Sequence, residues 1–403
     1  MSNNQTTAHN TLPRILLLYT KTGGGHLSAA RAIKAAIDQR YPAAYDVVLY
    51  DVSASSHSRR VAMLYGTYNL MLTTNPRYTR QGMKLLNAVG AERAFIPWLP
   101  APYRRMREAL HEAHPDLMVS VHGIVNHVML RALLESGRAD TVPYAIVCTD
   151  LTNNFLKGWA NPKADLIITF TEMARQQMLD YQVPAHKVQL INGFAVHPSF
   201  FQHPLLPSDC RAALGMRPDV FTILVSLGGM AIPGKTKAIV QRLCASGLPL
   251  QMMVVCGMNR NLKRQVRAIA HRYPTRVNVH GFTQRIDQMM TAADLMITKP
   301  GPGTMMEAVV KELPLCLDAV DEPMPQEKGN LLFAEKEEIA VTFTRYIDLP
   351  DIVDRLMREP ETYHRLQANM RRIKNASAIF EVADALVALL PARTLLPRIA
   401  QNK

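Results

Sequence analysis

The sequence predicts an α/β fold of two Rossmann-like domains that face each other across a cleft. Short apolar runs, typical of buried parallel strands, alternate with helical patterns in two successive cycles along the chain. A glycine-rich turn follows the first strand of each cycle, at Gly24 and Gly25 and again at Gly228 and Gly229. Such turns are typical of sheets that bind nucleotides at the carboxyl ends of their strands.

The first cycle begins with a strand at residues 14–19, a turn at 20–25 and a helix at 26–40. Further strands are predicted at 46–50, 117–121, 144–148, 166–170 and 188–191, with a helix at 124–135. The second cycle has predicted strands at 221–226, 251–256, 277–280 and 295–298, with helices at 237–246, 261–273, 286–293 and 304–313.

The chain of 403 residues is too long for one ordinary core, so two domains are expected. We predict an N-terminal domain over residues 1–197 and a C-terminal domain over 198–374, with a linker in the proline-containing segment 194–207. Residues 375–403 carry a last helix at about 375–390, which either closes the second domain or crosses back to the first.

A glycine- and proline-rich turn at residues 299–303 separates the last predicted strand from a helix. The backbone N–H groups and the dipole at such a helix N-terminus suit a diphosphate. Glu307, one turn further on, can accept hydrogen bonds from a ribose diol. The alternative is that Thr304 and Glu307 form only a capping box.

A second polar cluster begins nineteen positions after Glu307 and contains Gln326, Glu327, Lys328 and Asn330. These side chains offer many donors and acceptors for sugar hydroxyls, so the pair of motifs predicts a nucleotide-sugar site. The alternative for this cluster is a solvated loop before the next helix.

The net charge of +13 is unevenly distributed. The segment 59–107 holds nine basic residues and one acid; the basic ones are Arg59, Arg60, Arg77, Arg80, Lys84, Arg93, Arg104, Arg105 and Arg107. Apolar and aromatic residues, including Tyr65 and Trp98, are interleaved with them. This composition predicts a monotopic segment on an anionic membrane surface. The alternative is a set of helices with a solvated basic face; no nucleic-acid module accompanies the charge, so nucleic acid is not expected.

Other patterns exclude several classes of protein. The sequence contains no run of eighteen apolar residues, so a transmembrane helix is not expected. Residues 1–10 lack the pattern of a secretory signal. The five cysteines are scattered and odd in number, which predicts buried free thiols in a cytosolic protein. No Asp-x-Asp element is present to hold a metal ion on a diphosphate.

Together these motifs resemble the monogalactosyldiacylglycerol synthase and bacterial diacylglycerol glycosyltransferase family, and more distantly the lipid-II-forming N-acetylglucosaminyltransferase. The resemblance spans nearly the whole chain and rests on the order and spacing of its motifs. They are Thr22-Gly-Gly-Gly-His26, Val121-His122, Asn126-His127-Val128, Thr149-Asp150-Leu151, Gly228-Gly229, Val255-Cys-Gly-Met-Asn259, Gly281-Phe282, Lys299 to Thr304 with Glu307, and Gln326 to Asn330.

The resemblance implies a GT-B type glycosyltransferase. The C-terminal domain would bind a UDP-sugar, and the N-terminal domain the acceptor diacylglycerol and the cytoplasmic face of the membrane, peripherally. The enzyme would transfer galactose or glucose to the lipid hydroxyl with inversion and without a catalytic metal or other cofactor. Two alternatives are a same-fold transferase with another lipid-linked or small acceptor, and a non-catalytic nucleotide-sugar-binding protein. The oligomeric state is not indicated.

Inversion by single displacement needs a base for the acceptor hydroxyl and stabilisation of the leaving diphosphate. His26, at a helix start, is the leading candidate for the base, and the resemblance also permits a contact with the diphosphate. His122 and Asp150 follow predicted strands, and Asp150 is either the base itself or the group that orients His26. The expected donor-binding residues outside the polar cluster are Gly24, Gly25, Gly228, Gly229, Met230, Phe282, Lys299, Gly301, Pro302, Gly303, Thr304 and Glu307.

The sequence departs from the family pattern at three places. Asn153, Asn154 and Phe155 stand where a histidine is expected before Trp159. Gly123 replaces a proline that often follows the acceptor-domain histidine, and the loop Gly228-Gly229-Met230-Ala231 lacks the acid of a Gly-Gly-Glu-Gly loop. These changes bear on proton transfer, acceptor identity and donor recognition.

Overall fold

The computed structural model describes residues 12–21, 24–74, 81–82, 97–152, 157–201, 206–229, 231–321 and 325–391, without the side chains of residues 65, 68–74, 325 and 326. Several predicted site residues lie outside this description. They are Arg77, Arg80, Met230 and the segment 153–155, together with the side chains of Tyr65 and Gln326.

The first half of the chain folds around a parallel sheet of six strands. They are β1 Arg14–Tyr19, β2 Asp46–Asp51, β3 Leu117–Ser120, β4 Tyr144–Val147, β5 Leu166–Thr169 and β6 Val188–Leu190, in the order β2-β1-β3-β4-β5-β6. Strands β3, β4 and β5 are buried at every residue, as expected for a sheet with helices on both faces.

The second half repeats this architecture with another parallel sheet of six strands. They are β7 Phe221–Ser226, β8 Leu250–Val255, β9 Val277–His280, β10 Leu295–Thr298, β11 Leu315–Asp318 and β12 Ala340–Phe343, in the order β12-β11-β10-β7-β8-β9. The prediction of two Rossmann-like sheets is confirmed. Strands β11 and β12 were not predicted, because a run of four residues does not distinguish a strand from a helix segment.

The helices of the first half are α1 Gly25–Arg40, α2 Val52–Ser55, α3 Arg59–Thr74, α4 Pro100–Ala113, α5 Asn126–Glu135 and α6 Glu172–Asp180. Those that follow are α7 Pro207–Ala213, α8 Pro233–Ala245, α9 Arg260–Ala270, α10 Ile286–Ala292, α11 Pro302–Lys311, α12 Pro325–Lys336, α13 Leu349–Arg358, α14 Pro360–Ile373 and α15 Ala378–Val387. Short 3-10 turns lie at Lys157–Trp159, Ala185–Lys187, Pro198–Phe200 and Tyr346–Asp348.

The last helix, α15, packs against α1 of the first half. The hydroxyl of Tyr41 donates to the carboxylate of Asp384 at 2.7 Å, and Arg40 forms an ion pair with the same carboxylate at 3.2 Å. Close packing continues where the chain crosses, since an added Cβ at Gly193 would lie 2.7 Å from the Cβ of Ala378. The C-terminal segment therefore fastens the two halves together, while the predicted domain boundaries stay predictions.

The order of the strands places the site. In the first sheet the order in which strands are added reverses between the neighbouring strands β1 and β3. In the second sheet it reverses between β7 and β10. Ligands of open parallel sheets bind at this switch point, beyond the carboxyl ends of the strands. The glycine turns follow β1 and β7, His122 follows β3, and Lys299 follows β10.

Candidate active site

His26 lies in the first turn of α1, immediately after the turn in which Gly24 has a φ of +90°. Its Nδ1 atom is 2.7 Å from the backbone carbonyl oxygen of Val121. Because a carbonyl oxygen only accepts hydrogen bonds, Nδ1 must carry the proton and donate it. In the neutral ring this leaves a lone pair on Nε2, which is the tautomer that a general base requires.

His122 lies beside His26, with the two ring centroids 4.1 Å apart. Its Nδ1 atom accepts a hydrogen bond from the backbone N–H of Ile124 at 3.2 Å. The neutral ring therefore carries its proton on Nε2, the opposite arrangement to that of His26. The pair presents one acceptor nitrogen and one donor N–H.

Burial keeps both rings neutral. It lowers the pKa of His26 to about 4, and the hydrogen bond from Nδ1 to the Val121 carbonyl offsets this only in part. Burial also holds the pKa of His122 well below its usual range, and the neighbouring His26 acts in the same direction. At neutral pH both imidazoles are therefore uncharged, so the Nε2 lone pair of His26 is available.

Asp150 follows β4 and accepts a hydrogen bond from the indole Nε1–H of Trp159 at 2.7 Å on Oδ2. Burial raises the pKa of Asp150 to about 6, with the indole hydrogen bond opposing that rise and the negative charge of Glu327 adding to it. Because Glu327 belongs to α12 of the second half, its effect on Asp150 means that the two walls of the cleft approach each other here.

Trp159 is a central residue of the N-terminal wall, and in the sequence it served only as a landmark. It is 2% exposed, and its ring centroid lies 6.2 Å from that of His26. The ring lies against Gly123, where an added Cβ would be 3.0 Å from Cε2 of the indole. This close approach gives a physical reason for glycine rather than proline at position 123.

Lys299 lies across the glycine turn on the opposite side of the cleft. Gly228 has a φ of +86°, and a Cβ added there would be 3.3 Å from Cε of Lys299. The ammonium group of Lys299 pairs with the carboxylate of Glu327 at 2.6 Å. The ammonium group of Lys299 therefore lies at the carboxyl ends of β7 and β10. Its partner, the Glu327 carboxylate, can be displaced by another anion.

Helix α11 starts at Pro302 rather than at the predicted Thr304, with Gly301 as the N-cap residue and no side chain capping it. Proline at the first position has no N–H to leave unpaired. Thr304 is therefore the third helical residue and Glu307 the sixth, so the capping-box alternative is wrong. The N-terminus of α11 keeps its backbone donors for another partner.

Helix α11 packs against α1 of the first half, and Glu307 on α11 is near Ser28 on α1. Burial raises the pKa of Glu307 to about 8, and the Ser28 hydroxyl opposes part of that rise. The Ser28 hydroxyl thus lies beside the carboxyl group that was predicted to receive a ribose diol.

The remaining predicted donor residues occupy different positions around the turn. Asn330 is fully buried and donates from Nδ2 to the carbonyl of Pro300 at 2.9 Å, so it holds the turn from below. Lys328 is exposed, and Phe282 is 60% exposed beyond β9. Gly303 lies within 4.0 Å of Phe194, measured from an added Cβ. Their roles in donor binding stay predictions.

The basic segment includes exposed apolar side chains. Trp98 is 83% exposed and Met63 71% exposed, while Arg59, Arg60 and Arg104 also face solvent. Arg105 has a structural contact instead, since its Nε donates to the carbonyl of Ser56 at 2.6 Å. In the part of the chain that the structure describes, no helix is both long and apolar enough to span a membrane.

No three His, Cys, Asp or Glu side chains in the described ranges form a group that could hold a metal ion. All five cysteines are free and buried. The absence of a catalytic metal from the reaction stays a prediction.

Two family models match the chain. Residues 26–193 match monogalactosyldiacylglycerol (MGDG) synthase, and residues 226–384 match the glycosyltransferase family 28 C-terminal domain. The first match contains His26, His122 and Asp150, and the second contains Lys299 and Glu307. The two sides of the cleft thus fall in separate matches.

Individual proteins match over nearly the whole chain. A probable chloroplastic monogalactosyldiacylglycerol synthase of Glycine max is 28% identical, over 95% of this chain and 73% of the relative. A processive diacylglycerol beta-glucosyltransferase of Bacillus subtilis is 24% identical, over 92% of this chain and 93% of the relative.

Among solved structures, Acinetobacter baumannii MurG shares the fold with a TM-score of 0.59 at 13% identity, covering 94% of this chain and 100% of that one. Anabaena Alr3699/HepE in complex with UDP has a TM-score of 0.56 at 16% identity, covering 94% and 100%. The GT-B fold is therefore confirmed. The chain is a glycosyltransferase, and over nearly its whole length it is similar to monogalactosyldiacylglycerol synthases and diacylglycerol glycosyltransferases.

Proposed function

We propose that the protein transfers a hexose from a UDP-sugar to the free hydroxyl of 1,2-diacylglycerol, with inversion and without a catalytic metal. The observation that carries this proposal is the opposition of a neutral histidine base on one wall of the cleft to a lysine and an uncapped helix N-terminus on the other. The relatives named as diacylglycerol glucosyltransferase and MGDG synthase support the donor and acceptor classes.

In this mechanism Nε2 of His26 accepts the proton of the diacylglycerol hydroxyl while the oxygen attacks the anomeric carbon. The bond from that carbon to the diphosphate breaks, and UDP leaves with the electron pair. Asp150, ionised above its pKa of about 6, stabilises the imidazolium that forms. His122 presents an N–H beside His26 and orders the pocket.

The leaving diphosphate is stabilised by charge and by backbone donors. Lys299 exchanges Glu327 for the diphosphate oxygens, and the backbone N–H groups at the start of α11 add the helix dipole. Glu307 gives up Ser28 and accepts the ribose hydroxyls. Glu327, released from Lys299, then accepts hydrogen bonds from the sugar hydroxyls.

The acceptor is drawn from a membrane surface. The exposed Met63, Leu64 and Trp98, together with Arg59, Arg60 and Arg104, support a peripheral attachment to the cytoplasmic face of the cell membrane. Apolar side chains of this kind enter the interfacial region while the guanidinium groups stay with anionic headgroups.

The test is incubation with UDP-galactose or UDP-glucose over diacylglycerol micelles, with the lipid product identified by mass spectrometry. We expect a monohexosyldiacylglycerol from one of the two donors, and the anomeric configuration of the product reports inversion. A polyprenyl-linked sugar or a small aglycone serves as the competing acceptor. Transfer only to that acceptor contradicts the proposed lipid, and UDP binding without any transfer contradicts catalysis.

A further inference from the structure

We propose that the C-terminal half carries a second membrane-docking surface, formed by helix α9, which adsorbs to anionic phospholipid headgroups. Between Asp219 and Asp287 the sequence contains ten Lys or Arg residues and no Asp or Glu. Three of the arginines, Arg260, Arg264 and Arg267, follow each other at spacings of four and three along α9 and are exposed. We call these three residues the α9 stripe.

The other side of α9 fixes the direction in which the stripe points. Leu262 and Val266 are at most 1% exposed and belong to the core of the second sheet. Their spacing of four places them on one side of the helix, and the stripe lies on the opposite side. Helix α8 packs alongside α9 and adds the exposed Arg242 in its last turn.

The stripe is not explained by the stability of the helix. Like charges three and four residues apart repel each other, and cations in the first turn oppose the helix dipole. The first turn of α9 contains no acid. Within the described ranges, no ion pair joins any of the three guanidinium groups to a carboxylate. A surface that costs stability in isolation is stabilised when an anionic partner covers it.

An anionic lipid surface fits the stripe better than nucleic acid does. The exposed side of α9 offers guanidinium groups without aromatic rings on which bases could stack. The choice of a membrane as the partner rests on the proposed lipid substrate. The exposed side also lacks the large apolar residues of the N-terminal basic segment, such as Trp98. Helix α9 therefore adsorbs to headgroups without insertion, and its contribution should disappear as salt is raised.

The experiment is co-sedimentation of the full chain with vesicles of phosphatidylcholine mixed with phosphatidylglycerol, in the absence of UDP-sugar and diacylglycerol. The test variant combines Arg260→Gln, Arg264→Gln and Arg267→Gln. A matched control combines Lys336→Gln, Arg358→Gln and Arg365→Gln, which removes the same charge from exposed positions on α12, α13 and α14. UDP affinity, measured by calorimetry, checks that each variant is folded.

The stripe variant should partition to these vesicles on the order of 100-fold more weakly than the wild type at low salt, about fivefold for each charge. The control should lose much less, and vesicles of phosphatidylcholine alone should not distinguish the stripe variant from the wild type. Equal losses in the stripe and control variants would mean that only net charge matters, which overturns the proposal. Unchanged partitioning, or tighter binding to duplex DNA than to vesicles at the same salt, also overturns it.

Because no turnover is measured, this result is independent of the proposed reaction. If the enzyme is active but the stripe variant partitions to vesicles like the wild type, only the docking surface is contradicted. An inactive chain that still needs the stripe for vesicle binding would contradict only the reaction.

Discussion

The two walls of the cleft treat charge in opposite ways. On the N-terminal wall, burial removes charge: His26 and His122 are neutral, and the pKa of Asp150 is raised to about 6. At the glycine turn of the C-terminal wall, charge is kept and paired, since Lys299 and Glu327 form an ion pair at 2.6 Å. Glu307 on the same wall is the exception, because burial raises its pKa to about 8. The first wall is suited to moving a proton, and the second to receiving a diphosphate.

This difference follows from what holds each group. His26 is fixed by a backbone carbonyl, which no substrate replaces, whereas Lys299 is held by a side chain that a diphosphate can displace. A base must keep its orientation before the reaction, while an anion-binding cation must exchange partners during it. The mutations below test whether the two walls separate in this way.

The largest effect is expected from His26→Ala. Loss of the general base should lower kcat by about 10²- to 10⁴-fold while leaving UDP affinity nearly unchanged. Steady-state kinetics with the best UDP-hexose and diacylglycerol, together with calorimetry of UDP, measure the two quantities. A variant whose kcat stays within a few-fold of the wild type would remove His26 from the reaction. A loss of UDP affinity instead would place it against the diphosphate.

The second prediction concerns how Trp159 tunes Asp150. Because the indole N–H lowers the pKa of Asp150, Trp159→Phe should raise that pKa above about 6 by about one to two units. The enzyme needs the ionised carboxylate, so activity falls as pH drops through this pKa. The acid limb of the pH–kcat profile should therefore move to higher pH, with the plateau retained.

Trp98→Phe is the matched control, since Trp98 is the other tryptophan and is 83% exposed. It should leave the acid limb in place, whatever it does to membrane binding. An acid limb near pH 4 in the wild type would mean that His26 titrates alone, and that Asp150 does not need to be ionised.

The N-terminal wall could be predicted well from the sequence because its motifs follow strands. His122 and Asp150 stand just beyond apolar runs, and His26 follows the glycine turn after another, so their convergence at one sheet edge could be predicted. The role of Trp159 could not, because it depends on a 3-10 turn that brings the indole back over Gly123. Only the departure from proline at Gly123 hinted at this contact.

On the C-terminal wall the local pattern misplaced the start of a helix. The pattern Thr304-x-x-Glu307 fits a capping box, yet proline at position 302 starts the helix two residues earlier and leaves Glu307 to face Ser28. Asn330, predicted to bind the donor, also holds the turn through the carbonyl of Pro300, a contact that the sequence did not indicate. Side-chain direction depends on tertiary contacts that a local pattern does not contain.

Substitution of Glu307 should have a smaller effect than the two substitutions above, and the effect should be confined to binding of the donor. Glu307→Ala should weaken UDP binding at least tenfold, or about 1.4 kcal/mol, measured by calorimetry. The pKa of Glu307 is about 8, and the carboxylate is the form that accepts two ribose hydroxyls. Wild-type affinity for UDP should therefore rise as pH increases toward about 8, and Glu307→Gln should lose this dependence.

Ser28→Ala provides the control from the opposite wall. It removes the hydroxyl that lies beside Glu307 but no predicted donor contact. UDP affinity should be unchanged or higher. If Ser28→Ala weakens UDP binding as much as Glu307→Ala does, the donor site extends along α1 beyond the predicted Gly24 and Gly25, and the separation of the two walls fails at this point.

The smallest effect is expected at the joint that holds the walls together. Asp384→Asn weakens the contacts of α15 with Tyr41 and Arg40, and the ion pair is partly exposed, with 55% and 40% of the two side chains accessible. Screening makes the ion pair worth little, so the free energy of unfolding should fall by about 1–2 kcal/mol, mostly from the Tyr41 hydrogen bond. Asp38→Asn is the control, because it weakens an exposed ion pair between Asp38 and Lys34 within α1. It should lower the free energy of unfolding by less than about 0.5 kcal/mol. Urea denaturation of both variants gives these values. If Asp384→Asn changes kcat rather than stability, α15 takes part in closing the cleft. The proton-moving wall and the anion-binding wall are then coupled through the C-terminal helix rather than through the substrate alone.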